Sequence, residues 1–187
     1  MIDSQQRVGV SFAVEGEAAD DAVRLNAALA QSFDSQIRLG AGGNSSPHVT
    51  IALGEADRAA LASIIAVVDK AVRDTKPFRM SFGQVARETV TGRYVLADVV
   101  IPVQVAVWRS TLHAKITEHL SGVGRTTDDP HLTIAVVDGQ ESAVDRLLAN
   151  HTDKPLADCR VTHVDVARAG ARGAKGTVIE RFVLGAA

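Results

Sequence analysis

The chain has 187 residues, 46% of them hydrophobic and 22% charged, which suits a packed globular domain and excludes wholesale disorder. Lys+Arg number 20 against 22 Asp+Glu, so the net charge is −2 and the basic excess of a protein that grips long nucleic acid is missing. One cysteine, Cys159, excludes an internal disulfide and a cysteine-based zinc site, and a reducing cytoplasm is the expected home.

No apolar run approaches the roughly 20 residues that span a bilayer. Residues 1–7 are polar and lack the long apolar stretch of a signal peptide, so neither membrane span nor leader is expected. Residues 7–14 alternate Val8, Val10, Phe12 and Val14 with small residues, the pattern of a strand with one buried face. Residues 18–33 place Ala22, Leu25, Leu29 and Phe33 on one helical face, with Asp20 and Asp21 in the first turn. GAGGNSS, 40–46, reads as a flexible loop, and PHVTIAL, 47–53, as a strand.

A second helix over 56–72 carries Leu61, Ile64, Ile65, Val68 and Val72 at helical spacing. Two strands follow, 77–87 and 93–101. Pro102 suits the start of a third helix, which runs to Leu120 with Val105, Trp108, Leu112 and Ile116 inside. The loop 125–129 leads to PHLTIAV, 130–136, another strand. A short helix over 140–150 and two strands, 155–168 and 176–184, complete the chain.

After the first strand, the order α-β-α-β-β occurs twice. PHVTIAL and PHLTIAV match at five of seven positions and fall on equivalent strands. No linker separates the halves, 7–101 and 102–187. A single bilobal domain over 1–187 is expected, duplicated and α+β, with two mainly antiparallel sheets facing a central cleft and helices outside.

Side chains alternate along a strand, so His48 and Thr50 share one face, as do His131 and Thr133. Val49, Ile51, Leu132 and Ile134 take the other face. A pseudo-twofold axis between the halves would bring both polar pairs to one cavity. Two imidazoles there suit phosphoryl chemistry, because histidine gives or takes a proton near neutral pH. Threonine hydroxyls can donate to non-bridging phosphate oxygens. The scheme requires no metal and no cofactor.

At these residues the chain resembles the two-histidine (2H) phosphoesterase superfamily, with its RNA 2′,3′-cyclic phosphodiesterases and 2′-5′ RNA ligase-like proteins. The resemblance implies His48 and His131 as general acid and base, in an order the sequence leaves open, and Thr50 and Thr133 as phosphate holders. Many RNA ligase-like members carry an arginine three residues after the second threonine. Here that residue is Val136.

Other residues are candidates for substrate contact. Arg125 precedes the second motif. Arg168 and Arg172 lie in a glycine-rich loop whose competing reading is a solvated hairpin. Phe12 and Tyr94 could stack on a base, with core packing the stronger reading for Phe12. His113 and His119 lie about 240° apart around their helix, so they form no metal pair. His151 and His163 show no partner in the sequence.

The implied activity is metal-independent cleavage of a cyclic or 2′-linked nucleotide phosphodiester. The partner is a nucleotide or short oligonucleotide, with no membrane and no obligate protein partner. A non-catalytic nucleotide- or RNA-binding module, or an enzyme of another reaction class on the same fold, is the alternative.

Overall fold

The computed structural model describes residues 5–122, 129–151 and 154–186. The strands are β1 (Gln6–Ala13), β2 (His48–Ala56), β3 (Phe78–Arg87), β4 (Tyr94–Val100), β5 (His131–Val136), β6 (Cys159–Val161), β7 (His163–Ala169) and β8 (Lys175–Val183). The helices are α1 (Glu17–Ser32), α2 (Arg58–Arg73), α3 (Val103–Thr117) and α4 (Glu141–His151). Local chemistry sets their ends. The Asp57 carboxylate accepts the Ala60 amide at 2.8 Å and caps α2, and Pro102 precedes the first turn of α3.

The two sheets expected from the sequence are one. Eight antiparallel strands run in the order β6-β3-β4-β5-β2-β1-β7-β8. The join between β2 and β5 is a single residue pair, Val49 with Leu132. The hairpin that follows the first motif, β3–β4, pairs with the strand of the second. Strands β7 and β8, which follow the second motif, lie beside β1 next to the first. Each half of the sequence thus completes the sheet of the other.

The expected strand over 155–168 is also split. Val161 ends β6 at one end of the strand order and His163 begins β7 near the other. The two lie two residues apart, at most about 7 Å. The sheet must therefore curl until its ends approach. Phe12 of β1 and Phe78 of β3 close that curl edge to face, with centroids 5.2 Å apart. Trp108 of α3 stacks on Phe12 at 6.0 Å. Phe12 is fully buried in this cluster, which removes it as a base-stacking residue.

The core face is aliphatic. Val49, Ile51, Leu132 and Ile134 have no exposed surface and pack with Leu29, Ile64, Val68 and Ile116. Burying each such side chain is worth about 1.5–3 kcal/mol. No helix among the described residues is long and apolar enough to cross a membrane.

The loop expected to be flexible is pinned. Gly40 N donates to Ser45 O, Gly43 N to Gly40 O, and Ser45 N to Arg38 O. A Cβ on Gly43 would lie 2.1 Å from the Arg38 carbonyl oxygen, so only glycine fits this turn. Beneath it, buried Asn26 donates to the carbonyls of Ile37 and Ile134 and accepts the Leu39 amide, all within 2.9 Å. One helical asparagine thus ties the loop before His48 to the strand of the second motif.

Candidate active site

The Val49–Leu132 pair fixes how the motifs meet. With antiparallel strands in that register, His48 stands level with Thr133, and Thr50 with His131. Each histidine therefore faces the threonine of the other motif. Beyond this pair the strands part, because their other partners are β1 and β4. The parting opens a cleft of about 780 Å³. His48, Thr50, His131 and Thr133 all line it, half-buried, while the residues between them are fully buried on the opposite face.

The two imidazoles are oriented alike. His48 Nδ1 donates to the Ser46 carbonyl at 2.7 Å, and His131 Nδ1 to the Asp129 carbonyl at 3.3 Å. In each case the acceptor lies two residues before the histidine. These bonds place a proton on Nδ1 of each ring.

Around His48 the environment disfavours charge. Burial lowers its pKa to about 4; the Ser46 carbonyl opposes the shift, and the Lys175 ammonium adds to it. Lys175 is itself buried, its Nζ 2.6 Å from Asp165 Oδ2, and its amide donates to Ser45 Oγ at 2.9 Å. A side chamber of about 10 Å³, the scale of one water, is lined by His48, Thr50, Ser11 and Lys175.

Of the remaining sequence candidates, Tyr94 and Arg172 line the cleft. Arg168 lines the side chamber instead. Arg125 lies outside the described residues. Arg7, Arg109 and the 88–91 turn were not singled out in the sequence, yet they contribute to the cleft wall. Arg109 reaches it from α3, buried, with Nη2 donating to the Thr50 carbonyl at 3.3 Å. Its signal was an arginine in helical register with Val105, Leu112 and Ile116, the buried face of α3. Val136, where the related arginine would stand, is buried and pairs with Tyr94 of β4. Cations reach this cleft from β1, α3 and the β7–β8 turn instead.

A curled antiparallel sheet with helices, carrying paired His-x-Thr strands on one cleft, defines a two-histidine phosphoesterase type of protein. Residues 27–173 match the model of the 2′-5′ RNA ligase superfamily, and the chain belongs to that family. Among solved structures, apo LigT of E. coli superposes with a TM-score of 0.66 at 18% identity, covering 96% of this chain and 98% of LigT. A structure described as a phosphoesterase gives 0.67 at 18% over the same shares. TT0787 of Thermus thermophilus gives 0.67 at 17%, again over 96% and 98%. LigT has also been solved with 3′-AMP and with ATP. Comparison with curated protein sequences found no match.

Proposed function

We propose that the protein is a metal-independent phosphodiesterase acting on a cyclic or 2′-linked nucleotide phosphodiester. The observation that carries this reading is the crossed placement of two His-x-Thr pairs on one cleft, with both Nδ1 protons fixed by backbone carbonyls. LigT's complex with 3′-AMP supports a nucleotide as the ligand class.

In this reading His48 is the base in hydrolysis. Its lowered pKa keeps it neutral at physiological pH, with Nε2 able to take a proton from water. The water oxygen bonds to phosphorus, and the bond to the ribose oxygen breaks. His131 Nε2–H gives its proton to that leaving oxygen. Thr50 and Thr133 donate to the non-bridging oxygens, whose charge grows in the transition state.

A lowered pKa has a definite sign. The base is active when neutral, so the acid limb of kcat/KM is expected near pH 4 rather than near 6.5. A pH–rate profile measured with buffers of constant ionic strength checks it. An acid limb between pH 6 and 7 would remove His48 from the base role.

Both proton transfers are assigned to imidazoles, so EDTA is expected to leave turnover unchanged. Activity lost to the chelator and restored by a divalent ion would replace this scheme with a metal-assisted one. The direct test of the reading is turnover of 2′,3′-cyclic, 3′,5′-cyclic and 2′-5′-linked substrates. No turnover of any of the three would leave the binding-module reading in its place.

A further inference from the structure

The two motif strands are alike in their pairing as well as in their sequence. β2 pairs with β1, and β5 with β4, and each pairing has a register shift at the same place. Val10 pairs with Ala52 and Ser11 with Thr50; Val95 pairs with Ala135 and Leu96 with Thr133. Ala52 and Ala135 hold the same place in PHVTIAL and PHLTIAV, as do Thr50 and Thr133. Both pairings also close on a proline carbonyl. Val14 N donates to Pro47 O at 3.3 Å, and Val99 N to Pro130 O at 3.1 Å.

One step inward from these bonds stand Ala13 with His48, and Asp98 with His131. Antiparallel pairs alternate, so both of these are non-hydrogen-bonded pairs. In such pairs the opposed side chains share a face and lie closest, about 4.5–5.5 Å between Cβ atoms.

At this step the two halves differ in charge. His48 faces the buried methyl of Ala13 and feels the buried Lys175 ammonium, and both surroundings disfavour a charged ring. His131 faces a carboxylate. Asp98 is exposed and, among the described residues, has no salt bridge and no side-chain hydrogen bond. Toward β3 its neighbour is Gly83, where a Cβ would come within 3.3 Å of the Asp98 Cβ. Glycine there leaves the carboxylate uncovered from β3.

The other ionisable groups that line the cleft with the two rings are Arg7, Glu88, Tyr94, Arg109, Asp129 and Arg172. Glu88 is taken up by the amides of Val90 and Thr91, and Arg172 by Gln36. None of the six stands opposite either histidine in strand register, whereas Asp98 does.

We propose that Asp98 is a positioning residue for the acid step: its carboxylate, facing His131, keeps on that ring the proton that goes to the leaving oxygen. The proposal rests on the phosphodiesterase reading and deepens it, because it gives a structural reason for two motifs of one sequence to take opposite roles. One imidazole lies beside a methyl group and near an ammonium, and serves as base. The other lies beside a negative charge, and serves as acid. Asp98 does not line the cleft, so it acts through His131 rather than on the substrate.

Two measurements test this, the first without turnover. The Cε1–H signals of His48 and His131 are followed by NMR in labelled protein at about pH 6.5, where histidine ordinarily titrates. Low salt is used, because an exposed carboxylate is screened. Asp98→Asn should move the His131 signal toward the neutral-ring position and leave the His48 signal in place. The variant keeps the side-chain volume at an exposed position, so folding is not at risk. The second measurement varies the leaving group. A nucleoside phosphodiester that expels a ribose hydroxyl needs the proton from the acid, and one that expels p-nitrophenolate does not. Asp98→Asn should lower kcat about tenfold on the first with KM within about twofold, and lower kcat less than about twofold on the second. Asp98→Glu should keep most of the rate on both. A His131 signal that stays in place in Asp98→Asn, or equal losses of kcat with the two leaving groups, would overturn the proposal. A signal that moves as expected in a protein that turns over neither phosphodiester would overturn the phosphodiesterase reading, and leave Asp98 as the residue that keeps His131 charged.

Discussion

His48→Ala and His131→Ala are each expected to lower turnover by about 10²–10⁴-fold, the scale of a lost general base or acid. The two groups act in one step, on opposite sides of one phosphorus. Once one proton transfer is gone, the other histidine has little left to accelerate. The double variant should therefore lose much less than the product of the single losses. Both side chains are half-buried on the cleft side, away from the aliphatic core, so the fold should survive. Circular dichroism and an unfolding midpoint establish that before rates are compared. Thr50→Val and Thr133→Val should cost less, because each removes one donor and leaves both proton transfers. A folded single histidine variant with near-normal turnover would end the paired acid–base assignment. Multiplicative losses in the double variant would assign the histidines to separate steps.

The elements were legible because their signals are local. Alternation in 47–53 and 130–136 gave both motif strands, and helical spacing gave α2 within two residues at its start and one at its end. What the sequence could not show depends on contacts between distant segments. The chain crosses from one end of the sheet to the other at Thr162, and nothing local marks that step within a run that reads as one strand. The crossing is what curls the sheet, and the lone Val49–Leu132 pair is what makes one sheet of the two expected. The flexible-loop reading of 40–46 failed for a similar reason. Glycine and asparagine content reports what a backbone can do, whereas Asn26 and the Arg38 carbonyl decide what this one does. Arg109 was passed over because a basic residue in an apolar stripe reads as an interruption until the cleft behind it is seen.

Asp165→Asn is expected to cost about 3–5 kcal/mol of stability, as breaking a buried ion pair from one side does. Asp165 has no exposed surface. It accepts from Lys175 Nζ at 2.6 Å and from Arg181 Nε and Nη2 at 2.8 and 2.9 Å. Burial pushes its carboxyl up, but the Arg181 and Lys175 hydrogen bonds and charges outweigh that and hold it below the usual carboxylate range. The sign follows: its contribution is full above the unfolded value near ~3.9 and is lost as pH falls through the lower folded value. An amide in its place leaves Lys175 buried without its counter-charge, and burial already lowers the lysine pKa. Denaturant unfolding at pH 7 should show a lower midpoint with an unchanged slope. Joining Lys175→Met to Asp165→Asn should recover part of the loss, because the stranded charge is then removed. The effect reaches the cleft through the chain. The Lys175 amide bonds Ser45, and the next residue, Ser46, holds His48 Nδ1. Asp165→Asn should therefore also lower kcat under conditions where the variant is fully folded. A stability loss below about 1 kcal/mol would show that Lys175 finds another partner or sheds its proton, and that the network does not anchor the His48 strand.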